Sequence, residues 1–186
     1  MAANQPPWPR DWLMTDERIG DRLWGAIDRL PDGSGIVFRH YSLDEEDRRA
    51  LGRRVAEAAR RQGLVLAVAG SARLAEELKA VMVHNPDTPT ALPISLAVHD
   101  QAQADAARRA HAALVFVGPV NTTRSHPGAA ALGPAEAARL AAIAKCPAIV
   151  LGGMNAARFA RLDAAFPGAF HGYAGIDCWL SERSRT

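Results

Sequence analysis

Eight short apolar runs, helix-suited segments between most of them, and polar or glycine residues directly after the runs predict an α/β protein. The expected architecture is a single (β/α)8 TIM barrel in trimmed form. The runs are Trp12–Met14, Gly35–Phe38, Leu64–Ala69, Val81–Val83, Ile94–Val98, Ala112–Val117, Ala148–Leu151 and, more weakly, Ala169–Ile176. Strands alternating with helices indicate a parallel sheet. An open doubly wound sheet alternates too, but no Gly-x-Gly-x-x-Gly turn follows any run. A closed barrel suits the count of eight. Such barrels usually take ~250 residues, with ~200 near the lower limit, so at 186 residues some segments must be short.

Taken in order, residues 1–10, with three prolines, read as a loose leader, and 11–186 as one domain. Arg18–Leu30 suits a helix. Asp44–Gln62 is the clearest helix: it opens on Ser42-x-x-Glu45, a capping box, carries apolar Leu51, Val55 and Ala58, and stops at Gly63. Ala72–Lys79, Asp100–His111, Pro134–Ala144 and Ala156–Ala165 follow, with Pro134 suited to a first helical turn behind Gly133. After the fourth run, His84-Asn85-Pro86-Asp87-Thr88-Pro89-Thr90 reads as a loop where a helix would stand. The last run leaves little chain for an eighth helix. Helices after strands four and eight are therefore expected to be short or missing.

The charge balance, 22 basic against 20 acidic residues with a net +2, is too small and dispersed to favour nucleic acid or a membrane surface. No apolar run approaches the ~20 residues of a membrane span, and no basic cluster with an apolar run opens the chain as an export signal would. Cys146 and Cys178 lack metal-type spacing, which fits a reduced, cytoplasmic setting.

Barrel chemistry belongs to the loops after the strands. Here those positions hold Thr15 and Asp16, then Arg39, His40 and Tyr41, Gly70 and Ser71, His84 and Asn85, and His99 and Asp100. Gly118 through His126, Gly152 and Gly153, and Asp177 complete the set. Glycine-exposed N–H groups before a helix favour phosphate, so the Gly118–Gly128 stretch and Gly152-Gly153 suggest an anionic, phosphorylated ligand. Arg39, behind an apolar strand, needs a partner, either that ligand or an internal acid such as Asp16. Several histidines converge on the mouth, yet no H-x-H or H-E-x-x-H spacing supports a metal. His99 at its strand end reads as a helix cap or a ligand contact. The arginines at 48, 49, 53, 54, 60 and 61 alternate with acids and read as solvated surface, and the four tryptophans as packing residues.

These strand-end residues resemble the thiamine phosphate synthase family, which includes a thiazole tautomerase (TenI) branch. The similarity runs from about Leu13 to Ile176. Leu13-Met14-Thr15-Asp16 resembles L-V-T-D; Phe38-Arg39 sits as in Q-L-R-E-K; Val83-His84 is like V-H-L-G and Val98-His99 like S-T-H. Gly118-Pro119-Val120 through Gly133 resembles G-P-V-F-x-T-x-T-K…G, and Leu151-Gly152-Gly153-Met154 resembles I-G-G-I. The family's synthases join a pyrimidine diphosphate to a thiazole phosphate with Mg²⁺ assistance, releasing pyrophosphate.

Against that pattern the chain departs in one half of the site. The Asn-Asp pair after the third strand becomes Ala69-Gly70, and the acid after His84 falls on Pro89. The Gln and Lys around Arg39 become Val37 and Tyr41, and the loop lysine becomes His126. One lost cationic contact costs ~2–4 kcal/mol of transition-state stabilisation. The resemblance therefore implies a divergent member that binds a thiazole phosphate or a related phosphorylated heterocycle, with synthase activity weak or lost. Arg39, Thr123, Ser125, Gly152 and Gly153 are its expected phosphate contacts. Mg²⁺ enters only for an active synthase whose site is rebuilt around Asp87 or Asp100. A metal-free tautomerase using His99 or His126 to move a proton, and a non-catalytic regulatory or interaction protein, are the other readings. A homo-oligomer is compatible with all of them.

Overall fold

The computed structural model describes residues 8–122 and 131–180. Eight parallel strands close in sequence order: β1 (Asp11–Met14), β2 (Gly35–Phe38), β3 (Val65–Ala69), β4 (Met82–His84), β5 (Ile94–Val98), β6 (Leu114–Val117), β7 (Ala148–Val150) and β8 (Gly172–Gly175). β8 pairs back onto β1, with Asp11 opposite Tyr173 and Leu13 opposite Gly175. The helices are α1 (Arg22–Asp28), α2 (Glu45–Arg61), α3 (Ala72–Glu77), α4 (Gln101–Arg109), α5 (Pro134–Ala144), α6 (Ala156–Ala165) and α7 (Asp177–Leu180). No described helix lies between β4 and β5, and α7 spans only four described residues. The gap after β4 is where the sequence puts it. Next to that gap, β5 has three half-buried residues, Ile94, Leu96 and Ala97.

The period-two alternation of strands sorts the apolar residues into two layers. Trp12, Met14, Val37, Ala67, Met82, Leu114, Phe116 and Ile149 fill the barrel interior. Leu13, Ile36, Phe38, Val68, Val83, Val115 and Val150 face outward under the helices. Trp12 plugs the barrel's lower end. Its indole meets Phe116 edge-on at 5.4 Å and donates through Nε1 to the Pro9 carbonyl at 2.8 Å. Gly35 opposite has to be glycine, because a Cβ there would stand 2.3 Å from the Trp12 ring. Replacing a fully buried aromatic such as Phe116 by Ala would cost about 3–5 kcal/mol.

Three local expectations change. Trp8, Pro9 and Arg10 end a leader that reads as loose, yet the Trp8 carbonyl meets His171 Nε2 at 2.7 Å and the Arg10 carbonyl accepts from Tyr173 N at 2.8 Å. The expected 18–30 helix is broken: a short 3-10 turn at Glu17–Ile19 precedes α1, with Gly20 at φ +54° between them. The cap of α2 is Asp44, whose carboxylate accepts from Asp47 N at 2.9 Å. Ser42 does not cap the helix; its N–H donates to Glu17 Oε1 at 2.7 Å.

Candidate functional site

All the strand-end residues singled out above and described here gather at the C-terminal mouth of the barrel. The corner over β1 and β2 is built on Thr15, fully buried. Its hydroxyl accepts from Arg39 N and lies 3.0 Å from His40 Nδ1, while its carbonyl accepts from Arg39 Nε at 2.8 Å. Arg39 also reaches Asp16 at 3.2 Å, so the internal acid weighed for it is its partner. Asp16 is shared: Arg18 holds both its oxygens, at 2.7 and 2.8 Å. The Arg18 hydrogen bonds, against opposing desolvation, bring the Asp16 carboxyl down to about 2. Burial draws the Arg39 guanidinium below its usual pKa, and Asp16 opposes that shift. Glu17 also acts on Arg18 and Arg39, so two guanidinium groups face two carboxylates in this corner.

β4 delivers His84 into the floor of the mouth, edge-on to Phe116 at 5.1 Å. Its protonation pattern follows from its neighbours. Asn85 Oδ1 accepts from Ala97 N at 2.8 Å, so Asn85 Nδ2 faces His84 Nε2, at 3.3 Å, as a donor. His84 Nε2 therefore accepts, and Nδ1–H donates to Ser95 Oγ at 3.1 Å. Desolvation, with Arg39 and His99 adding positive charge nearby, pushes its pKa to about 3. A neutral, fully engaged histidine at this position is a positioning element.

His99, exposed after β5, has its Nδ1 against the Gly118 carbonyl. A carbonyl only accepts, so Nδ1 carries the proton, and Nε2 is the lone-pair nitrogen of the neutral ring. The cap of α4 is Asp100, which accepts from Gln103 N at 2.8 Å, and His99 N donates to Gln103 Oε1. The capping alternative for His99 thus passes to its neighbour.

Across the mouth, the β6 and β7 loops are assembled main chain to main chain. Val120 N donates to the Leu151 carbonyl and Leu151 N to the Val117 carbonyl, each at 2.8 Å. Asn121 Nδ2 donates to the Gly152 carbonyl at 2.9 Å. Gly152 takes φ +110°, and a Cβ on it would stand 2.6 Å from Val120 N. Only glycine fits. Gly152 is buried and Gly153, at φ +58°, is exposed. Neither N–H donates a hydrogen bond among the described residues. Asn155 then caps α6, accepting from Arg158 N at 2.9 Å.

The mouth therefore contains Arg39, His99, Gly152 and Gly153, with Arg39 and Gly152-Gly153 on opposite arcs of the ring. Thr123, Ser125 and His126 lie outside the described residues. Asp87, offered as a metal ligand, is exposed and accepts from Thr88 Oγ1, and Asp100 is spent as a cap. The sequence reading missed Arg48, placed there among solvated arginines. Its Nε donates to the Arg39 carbonyl at 3.1 Å and its Nη2 to the Ala69 carbonyl at 2.6 Å, which locks it over the ends of β2 and β3. The signal was faint: a helical periodicity that puts residue 48 on the same face as Leu51 and Val55.

A family model described as thiamine monophosphate synthase matches residues 15–166. No curated protein matches the chain. Among solved structures, the thiamine phosphate pyrophosphorylase from Pyrococcus furiosus superposes with a TM-score of 0.77 at 18% identity, over 96% of this chain and 90% of that one. A structure described as native KDPGal superposes at 0.58 with 11% identity, over 95% and 85%. At such identities the superpositions speak for the barrel fold alone.

Proposed function

Because the chain belongs to the thiamine monophosphate synthase family, we propose that it is a divergent member binding a thiazole phosphate or a related phosphorylated heterocycle, with synthase activity weak or lost. The observation that carries the reading is the Gly152-Gly153 turn, whose N–H groups donate to nothing among the described residues and precede the N-terminus of α6. Unspent N–H groups at a helix start favour phosphate. Arg39 supplies a fixed cation on the facing arc, so a ligand with two polar ends would be oriented across the mouth.

Mg²⁺, implied by the family resemblance, requires a cluster of hard oxygen donors. Among the described residues no three His, Cys, Asp or Glu side chains gather to hold an ion. Ala69 and Gly70 stand where the pattern has Asn-Asp, and the guanidinium of Arg48 sits on the Ala69 carbonyl. The described residues do not fit Mg²⁺, and no step is assigned to it.

A thermal-shift titration with thiazole phosphate, thiamine phosphate and inorganic phosphate tests the binding. The heterocyclic phosphates should raise Tm in a saturable way; no shift with any of them would sink the reading and leave a non-catalytic interaction protein. Calorimetry with the pyrimidine diphosphate, with and without Mg²⁺, tests the degenerate site, since Mg²⁺-dependent tight binding would rule it out.

One observation favours a second reading, a metal-free thiazole tautomerase. The Gly118 carbonyl holds His99 in the tautomer whose Nε2 can take a proton. If thiazole isomerisation is unchanged in both His99→Ala and His126→Ala, that reading fails.

A further inference from the structure

Arg48 has a property the mouth chemistry does not use: it is a half-buried guanidinium with no carboxylate partner among the described residues. Its two hydrogen bonds go to neutral carbonyls, which fix its plane but give its charge no direct ion pair. Phe38 and Tyr41 flank it, with ring centroids at 5.8 and 5.5 Å. Burial lowers its pKa, and Tyr41, Asp87 and Glu17 oppose that shift from a distance without a direct bond to the guanidinium. The Nη1 hydrogens and the second Nη2 hydrogen have no partner among the described residues.

Beside Arg48 a pocket of about 230 Å³ opens between the β2–α2 loop and α3. Ser71 and Arg73 line its other wall, and Tyr41 gives it an aromatic side. Ser71 Oγ accepts from Leu74 N at 3.1 Å and keeps its own proton to donate. Two acids, Glu45 and Glu77, also line the pocket, but both are occupied within the wall. Arg49 bonds each of them, and Arg53 takes Glu77 at 2.6 Å. Arg48 and Arg73 make no ion pair among the described residues, and the lining carries three arginines (Arg48, Arg49, Arg73) against the two glutamates.

We infer that this pocket is an oxyanion site, separate from the Gly152-Gly153 turn, binding a phosphate or pyrophosphate group between Arg48 and Arg73 with Ser71 as a neutral donor. A planar fork matches a phosphate's oxygens in pairs. The volume is below the ~300 Å³ where whole-ligand pockets begin, which suits an isolated oxyanion or the end group of a longer ligand. In the closed ring, β7, which leads into the Gly152-Gly153 turn, stands three places from β2 and four from β3, so the two anion positions are on different sides of the barrel. The inference does not depend on the proposed heterocycle.

The test is a titration of the 186-residue chain with inorganic phosphate and with pyrophosphate at constant ionic strength. Backbone amide resonances are followed by ¹H–¹⁵N correlation. Saturable shifts are expected at Ser71, Arg73 and Leu74, with a Kd that Arg73→Ala weakens by about tenfold or more. Arg48→Lys, which keeps the charge but loses the fork, should weaken it as well. Arg73 is exposed, so its variant tests the site with the fold intact. Shifts confined to Gly152 and Gly153 would overturn the inference while sparing the heterocycle reading. Non-saturating shifts, or unchanged affinity in both variants, would overturn it too.

Discussion

The two arcs of the mouth are made of different material. Over β1–β4 the groups that define the site are side chains: Asp16 between two arginines, Arg39 on Thr15, Arg48 on two carbonyls, His84 between Asn85 and Ser95. Over β6 and β7 they are main-chain atoms packed against main-chain atoms, with Gly152 at the closest approach. A site made of side chains can be rewritten one substitution at a time, because the backbone that carries it stays in place. A site made of backbone contact cannot, because any Cβ collides. The departures expected from the sequence resemblance, at Val37, Tyr41, Ala69 and Gly70, fall in the side-chain arc, and the expected match at Gly152-Gly153 falls in the backbone arc.

The harshest way to break that contrast is Gly152→Ala. A Cβ at 2.6 Å from Val120 N and a φ of +110° should together cost about 3 kcal/mol or more in urea unfolding, and abolish phosphate-ligand binding. A cost under about 1 kcal/mol would mean that the β6–β7 arc is not backbone-limited.

The side-chain arc should in turn answer to pH. The His84 pKa falls from 6.5 unfolded to about 3 folded, so between those values the unfolded chain binds more protons. Stability is then complete above about pH 6.5 and declines as pH falls, by about 2 kcal/mol at pH 5. Unfolding curves across this range should flatten in His84→Gln if this histidine is the cause.

Arg48→Met removes two charged-donor hydrogen bonds to the β2 and β3 ends but keeps the aliphatic stem. A loss of about 1–2 kcal/mol is expected by chemical denaturation. A neutral result would show that the carbonyls are equally well served by water. The smallest effect is Asp16, whose depressed pKa contributes stability above 3.8 that is lost as pH falls towards about 2. Discounted for solvent screening this is about 1 kcal/mol. Asp16→Asn should remove that acid limb and leave the His84 decline in place.

Much of this was legible in the residues. Eight apolar runs and the helix-less stretch from His84 to Thr90 specify a barrel trimmed after β4, because period-two and helical patterns are local properties of the chain. Arg39's partner was also within reach, since a charge behind an apolar strand needs one. Arg48 was not: an arginine on a helix that alternates acids and bases looks solvated until β3 is laid beside β2. The capping box failed for a related reason, since Ser42 and Asp44 are both good caps by type and the reach of Glu17 decides between them.

The sequence by itself determined the barrel, its gap after β4, and the family resemblance that the 15–166 match bears out. Those rest on residue types at short spacings, where propensity and periodicity act. Only the tertiary structure decided which carbonyls Arg48 holds, which nitrogen of His84 carries the proton, and why Gly152 has no substitute. Each depends on atoms brought together across strands by barrel closure, such as Arg48 on Ala69 and Val120 against Gly152. Hydrogen bonding and steric exclusion act over about 3 Å, and that distance is set by how the strands pack in space.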